Sequence, residues 1–201
     1  DALARIGSPG VAERVVPLLE DPLLCGPAAE ALGQMGEDDI VAPLAGLLNK
    51  ADAPVSVVAA ALTAIRDRYE QRFREGTYIE DLARRAISPS GAQRIIDAAG
   101  ETEGDELLPV ARVLGWLEGT AVERAMTRFL GNPSLRREVI EALVRYGPRV
   151  VSLVVEQLKV EDLETRKAAA IALGRIGDPV ATEPLAKLLA DDDELAVVAA
   201  G

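Results

Sequence analysis

The chain has 201 residues, of which 49% are hydrophobic, 27% charged and only 3% aromatic. This composition is typical of a globular domain or a short repeat array and excludes a disordered chain. The net charge of −11 argues against electrostatic binding of nucleic acid or of an anionic membrane. The lack of histidine excludes Ser-His-Asp triads, Cys-His pairs and histidine-ligated zinc.

Three further features of the sequence bear on chemistry and location. The single cysteine, Cys25, has no second thiol and no neighbouring base, so we expect it to be buried and unreactive. No apolar run approaches the roughly 20 residues of a membrane helix, and no signal peptide is visible. We therefore predict a cytoplasmic protein without catalysis, cofactor or metal. The first residue is Asp1, which is consistent with a missing natural N-terminus.

An internal repeat is the strongest signal in the chain. A short motif built on a shared leucine recurs at intervals of 29, 30, 52, 29 and 30 residues. The shared leucines are Leu3, Leu32, Leu62, Leu114, Leu143 and Leu173. Each period contains two apolar stripes separated by a glycine or proline break, which predicts two helices. The predicted fold is an all-α solenoid of about six stacked antiparallel helix pairs.

Residues 1–65 are predicted to form the N-terminal repeats. Capping side chains are expected eleven residues before a shared leucine, at Asp21, Asn132, Asp162 and, one period on, Asp192. Small residues are expected where adjacent helices approach each other, at Ala28, Ala29, Ala59, Ala60, Ala168 and Ala169. The acidic residues of the turn 37–39 are expected to stabilise the N-terminus of the following helix through its dipole.

Residues 66–104 interrupt the regular repeat, since the interval of 52 residues is one period plus about 22 inserted residues, and we predict an irregular insertion with an extra helix there. The preceding helix is predicted to continue for about two extra turns and to end at Gly76. Thr77 and Glu80 have the spacing of a capping box for the next helix. The sequence Ser-Pro-Ser-Gly at 88–91 is predicted to break that helix, after which a second-helix stripe resumes.

The same segment combines aromatic and basic side chains in a chain that is acidic elsewhere. Four arginines fall within nine residues, and arginine with aromatic neighbours is typical of interaction hot spots. The candidate partner-binding residues are Arg68, Tyr69, Arg72, Phe73 and Tyr78. In the alternative, structural interpretation the aromatic residues fix the extended helix to its neighbours, while nearby carboxylates pair with the arginines. Those carboxylates are Glu70, Glu75 and Asp81.

Residues 105–201 are predicted to resume the regular repeat. Trp116 stands at a core position, and Gly177 is placed for a left-handed helix end. The acidic run 191–194 lacks the spaced ligands of a calcium loop, so we expect it to cap a helix. Both chain ends fall inside predicted helices, which indicates a fragment of a longer array whose exposed ends could associate end to end.

The segment Thr165-Arg166-Lys167-Ala168-Ala169-Ala170-Ile171-Ala172-Leu173-Gly174-Arg175-Ile176-Gly177-Asp178 resembles a HEAT repeat. Its short period resembles that of phycobilisome lyase-type HEAT-like proteins. The first two and last three units fit best, whereas 66–104 fits poorly. The family's arginine early in the first helix is matched only by Arg136 and Arg166. The resemblance implies an α-solenoid and does not specify a function.

The leading functional hypothesis is a non-catalytic scaffold or adaptor that binds another protein. Its partner would have a basic or mixed surface and would bind the concave face of the second helices or the arginine-rich insertion. Glu183 and Lys187 are the candidate residues on that face. Neither a membrane nor a nucleic acid is an expected partner. The resemblance implies two alternatives, a bilin lyase-type chromophore-handling subunit and a HEAT-like DNA-binding enzyme.

Overall fold

A computed structural model describes residues 11–191, whose regular elements are all helical. The first motif copy at 2–7, the predicted cap Asp192, the acidic run beyond residue 191 and both chain ends lie outside the described residues. The α-helices are α1 (Val11–Val15), α2 (Cys25–Met35), α3 (Asp38–Leu47), α4 (Val55–Phe73), α5 (Gly76–Ala86), α6 (Pro89–Glu101), α7 (Leu107–Trp116), α8 (Thr120–Arg128), α9 (Arg136–Tyr146), α10 (Val151–Gln157), α11 (Leu163–Ile176) and α12 (Thr182–Asp191). The 3-10 helices are Val16–Glu20, Gly104–Glu106, Phe129–Gly131, Gly147–Val150 and Pro179–Ala181.

The repeat predicted from the shared leucine is confirmed within the described residues. The five shared leucines of that part of the chain lie at equivalent places in α2, α4, α7, α9 and α11, and each is at most 1% exposed. Burying a leucine side chain contributes about 1.5–3 kcal/mol. The periodic leucine therefore forms the central row of the core, and the fold class is the predicted all-α solenoid.

The chain divides into two compact units, Asp1–Leu117 and Glu118–Gly201. In the first unit the first helices α2, α4 and α7 pack side by side, and the second helices α3 and α5 form the adjoining layer. In the second unit α9 packs against α11, while α8 and α10 form the second-helix layer. Within each unit, successive repeats therefore bury their apolar faces against each other, as in a helical solenoid.

The layer of first helices is closest where small side chains meet. A methyl group added to Gly33 of α2 would lie 2.7 Å from Cα and Cβ of Ala61 on α4. Of the six alanines predicted to allow close approach, five are buried, whereas Ala60 is exposed. The prediction is wrong for Ala60 because this residue lies on the exposed face of α4 and not at a helix contact.

Three of the predicted helix N-caps lie within the described residues, and one of the three is confirmed. Asp162 is the N-cap of α11, and its carboxylate accepts hydrogen bonds from the N–H (2.7 Å) and Oγ1 (2.5 Å) of Thr165. These bonds hold the pKa of Asp162 below its usual value. Asp21 and Asn132 instead accept a hydrogen bond from the N–H two residues on, and α2 and α9 begin four residues after them. The prediction fails there because the chain first makes a separate turn, in which the following proline lies.

Three other positions predicted from the sequence agree with the structure. Gly177 has the left-handed conformation (φ 69°), and its N–H donates to the carbonyl of Leu173. Glu37 precedes α3, whose first turn carries Asp38 and Asp39. Trp116 is buried at the end of α7. The helix end at Gly177 and the acidic first turn of α3 depend on residues adjacent in sequence, and the burial of Trp116 follows from the apolar stripe of its helix.

The helix that contains the irregular segment continues two turns beyond the motif, as predicted, but ends differently. The predicted end at Gly76 is wrong, because α4 ends at Phe73 and Arg74 follows it in the left-handed conformation (φ 62°). Gly76 is instead the first residue of α5, where an added methyl group would lie 2.9 Å from the guanidinium carbon of Arg66. The predicted capping box is also wrong, because Glu75 is the N-cap of α5 and Glu80 lies within the helix.

The segment after α4 contributes one regular helix and one additional helix. α5 packs against α3 and α4 and so takes the second-helix place of its repeat. The predicted break at 88–91 is confirmed, since Ser88 caps α6 by accepting a hydrogen bond from the N–H of Gly91 (3.2 Å). α6 packs against α7. Asn49, just beyond α3, fixes this corner by donating to the carbonyl of Ala86 (2.9 Å) and accepting from the N–H of Ser88 (2.8 Å).

Candidate functional site

Three successive residues of α4 contact three different neighbouring helices. Arg66 donates from Nε to Oε1 of Glu80 on α5 at 3.0 Å. Asp67 accepts two hydrogen bonds from Arg112 on α7, at 2.8 and 2.5 Å. The guanidinium of Arg112 thereby lowers the pKa of Asp67 below its usual value, against the opposing effect of burial. This part of the arginine-rich segment therefore ties α4 to its own repeat and to the next.

The third of these residues, Arg68, closes the C-terminal end of α2. Its Nη1 donates to the carbonyls of Gly33 (3.1 Å) and Gln34 (3.2 Å), and its Nη2 donates to the carbonyl of Gly36. The last carbonyls of a helix lack intrahelical partners and carry partial negative charge, so a cation there is stabilising. Burial lowers the pKa of Arg68, but an arginine stays protonated at neutral pH.

The aromatic residues of the segment meet at the turn between α4 and α5. We call Tyr69, Phe73 and Tyr78 the aromatic cluster. The ring centroid of Tyr69 lies 4.6 Å from that of Phe73 and 5.7 Å from that of Tyr78. Burial, followed by the charge of Asp38, raises the pKa of Tyr69. The cluster is thus one packed group to which two helices contribute.

The outer part of the aromatic cluster remains accessible to a partner. Phe73 and Tyr78 are 45% and 43% exposed, and the guanidinium of Arg72 lies 5.0 Å from the ring centroid of Phe73. Arg72 pairs with Glu37 of the preceding repeat at 3.2 Å, and both side chains are largely exposed. The sequence predicted that the arginines of this segment pair with Glu70, Glu75 and Asp81. Arg72 instead pairs with Glu37, and Asp81 pairs with Arg84 on α5.

The remaining two predicted residues lie on α12 in the second unit. Glu183 and Lys187 are both exposed. Lys187 lines a groove of about 240 Å³ between α10 and α12, together with Lys159. The apolar lining residues are Val155, Leu158, Pro184 and Leu188. These two residues therefore belong to the second unit, whereas the aromatic cluster belongs to the first.

Ion pairs and helix-end hydrogen bonds hold the first helices of the second unit. Arg136 of α9 pairs with Glu164 of α11 at 2.9 Å, and Arg175 of α11 pairs with Glu141 of α9 at 2.9 Å. Arg166 donates to the carbonyls of residues 160 and 161, just before its helix. Of the two arginines matched to the resemblance, Arg136 therefore links two first helices, whereas the hydrogen bonds of Arg166 hold the chain just before its own helix.

Residues 122–201 match the family described as HEAT repeats. This match identifies HEAT-like repeats in the C-terminal part of the chain. The match begins in α8 and covers nearly all of the second unit. It is a match to HEAT repeats in general, and the phycobilisome lyase-type subclass stays a prediction. Comparison with curated proteins found no match.

Three observations on the described residues concern metal binding, the cysteine and the membrane. Within residues 11–191, no group of three or more aspartate, glutamate, histidine or cysteine side chains is arranged to hold a metal ion. Cys25 is buried, as expected, and its thiol lies 3.5 Å from the carbonyl of Pro22. Within the same residues, no helix is both long and apolar enough to cross a membrane.

Sequence reasoning missed two charged residues beside the candidate positions. Glu37 was assigned to a helix N-terminus only, yet it also pairs with Arg72 from the next repeat. Lys159 was not singled out, although it shares a groove with Lys187. The sequence carries no signal for this pairing, because Lys159 follows the end of α10 whereas Lys187 lies within α12, so the two lysines do not hold equivalent places in their repeats.

Proposed function

We propose that this HEAT-like protein is a non-catalytic scaffold that binds a partner protein through Arg72, Phe73 and Tyr78. We call these three residues the exposed patch. The observation that carries the proposal is the exposure of two neighbouring aromatic rings with a guanidinium beside one of them. Tyrosine and arginine are enriched among the residues that dominate binding energy at interfaces.

The patch is supported from below by side chains that are already ordered. Tyr69 packs against both exposed rings, and Arg68, the preceding residue, is held by three backbone carbonyls of α2. A partner would therefore meet rings with little rotamer freedom left to lose. Because association has to overcome the loss of side-chain entropy, a preordered patch binds more tightly than a flexible one of equal area.

The charges around the patch favour a partner of mixed polarity. Arg72 supplies a cation, whereas Glu37 and Asp38 supply carboxylates, and the hydroxyl of Tyr78 lies 3.4 Å from Oδ2 of Asp38. A partner with an apolar centre flanked by both charge signs would match this arrangement. The groove between α10 and α12, lined by Lys187 near Glu183, is a second candidate surface for the same scaffold function.

Affinity capture from a lysate of the source organism tests the proposal with matched variants. The test variant is Arg72→Ala/Phe73→Ala/Tyr78→Ala, in which Arg68 is retained because it holds α2. The control variant is Leu23→Ala/Arg124→Ala/Val180→Ala, which removes an arginine and two exposed apolar side chains elsewhere. A partner lost only from the test variant supports the exposed patch, provided that helicity by circular dichroism is unchanged. A set of partners that is equal in all three proteins refutes it.

One further variant distinguishes the groove between α10 and α12 from the exposed patch. Glu183→Ala/Lys187→Ala leaves the exposed patch intact, so a partner lost only from this variant assigns binding to the groove between α10 and α12. No observation on the described residues favours either of the two alternatives, chromophore handling or catalysis on DNA. Visible absorption after mixing with a bilin and an acceptor protein, and a salt-dependent DNA shift, remain their respective tests.

A further inference from the structure

A trough of about 400 Å³ runs along the exposed face of α4 in the first unit. Its floor is made of small or short apolar side chains on α4, and its walls come from α2 and from the start of α7. The floor residues are Val57, Ala60, Ala61 and Ala64. The volume falls within the range of ligand-binding clefts, about 300–1,000 Å³.

The trough exists because α4 lines it mainly with alanine, whereas longer side chains such as Glu30 and Gln34 of α2 line its side. Ser56 and Ala64 mark its length on α4, about eight residues or roughly 12 Å of helix. One turn beyond Ala64, Asp67 is bonded to α7 and Arg68 to α2. Both walls are thereby fixed to the floor at this end, so the trough is a preformed feature of the packed helices.

The rim of the trough carries negative charge that nothing in the described residues neutralises. Glu30 lies on the α2 side, and Asp105 and Glu106 lie on the α7 side. All three are exposed, and none forms an ion pair with another of residues 11–191. An occupant must therefore bring cations to both walls and apolar atoms to the floor.

We propose that this trough binds an amphipathic basic helix of a partner protein. A narrow apolar face of such a helix would lie on the alanine floor, where small side chains permit close helix approach, as they do between Gly33 and Ala61. Lysine or arginine residues flanking that face would meet Glu30 on one side and Asp105 and Glu106 on the other. This site is distinct from the exposed patch, and its test is independent of the proposed function.

The probe is a fluorescein-labelled 18-residue helical peptide with leucine and alanine on one face and lysine on the other. Its counterpart has glutamate in place of every lysine. Binding is measured by fluorescence anisotropy at 50 mM NaCl and repeated at 500 mM NaCl. We expect the lysine peptide to bind, the glutamate peptide not to bind, and high salt to weaken binding.

Matched variants decide whether the trough is the site. The charge variant Glu30→Gln/Asp105→Asn/Glu106→Gln is expected to weaken binding about 5- to 30-fold, the effect of three exposed ion pairs. Its control, Asp52→Asn/Glu156→Gln/Glu161→Gln, changes the net charge equally at exposed positions elsewhere and should weaken binding less than about 2-fold.

A second pair of variants tests the floor. Ala60→Leu/Ala64→Leu fills the trough at exposed positions and should weaken binding at least about tenfold, whereas Ala42→Leu on the exposed face of α3 should not. Equal losses in test and control variants, undiminished binding to the filled trough, or no binding of the lysine peptide would overturn the proposal. Arg72→Ala/Phe73→Ala/Tyr78→Ala should bind the peptide normally, which separates this result from the fate of the exposed patch.

Discussion

Replacing Arg68 with alanine should destabilise the first unit far more than replacing Arg72. Arg68 donates to three carbonyls at the end of α2, and its side chain is partly buried. A hydrogen bond from a charged donor contributes about 1.5–3 kcal/mol. Since two of the three acceptors share one nitrogen and water can reach the site in part, we expect a total loss of about 2–3 kcal/mol. Arg72 makes one largely exposed ion pair, which contributes at most about 1 kcal/mol.

Urea unfolding followed by tryptophan fluorescence measures this difference directly. Trp116, the single tryptophan, is buried in α7 of the first unit and so reports on that unit. With a urea slope of about 2 kcal/mol per molar, Arg68→Ala should lower the midpoint by about 1–1.5 M and Arg72→Ala by less than about 0.5 M. Arg68→Lys should lie between them, because an ammonium cannot span three carbonyls. Equal midpoints for Arg68→Ala and Arg72→Ala would refute the assigned role of Arg68.

Four further substitutions test the packing of the first unit by the same urea measurement. Gly33→Ala should destabilise the first unit by about 1–2 kcal/mol, because the new methyl group meets the backbone of Ala61, whereas Gly46→Ala, which meets nothing, should stabilise it by about 0.5–1 kcal/mol. Arg74→Gly should stabilise it by about 0.5–1 kcal/mol by relieving the left-handed conformation, and a loss of stability would contradict this reading. The folded-state pKa of Asp67 is lowered, so its contribution is present above about pH 4 and is lost as pH falls through the folded pKa. The midpoint difference between wild type and Asp67→Asn should accordingly shrink below pH 4, and a difference that is independent of pH would be evidence against the pair.

The repeat architecture was predictable because its signal is periodic and local. A buried leucine in every first helix stands at a nearly constant interval, and the apolar stripes around it need only helical periodicity to be recognised. Asp162 was predictable as a cap for the same reason, since its partner Thr165 is three residues away. Asp21 shows the limit, because the same Asp-before-helix pattern can instead form an independent turn.

The role of Arg68 was not predictable from the sequence. Its acceptors are backbone carbonyls more than 30 residues earlier, and a carbonyl has no side-chain identity that a sequence could reveal. The place of Gly76 was not predictable for a related reason. Glycine often ends a helix, but it also occurs where a side chain would collide with a neighbour, and here that neighbour is the guanidinium of Arg66. The trough was hidden as well, since Ala60 looks like any packing alanine until its direction on α4 is known.

We propose that the irregular segment has two parts, since residues 66–68 hold the helices together whereas Arg72, Phe73 and Tyr78 bind another protein. Hydrogen–deuterium exchange of the chain with and without its captured partner distinguishes these two roles. Slower exchange on binding in peptides that cover residues 72–78, with unchanged exchange in α9 to α11, is the predicted result. Protection confined to α12 or to other helices, with 72–78 unchanged, would contradict it.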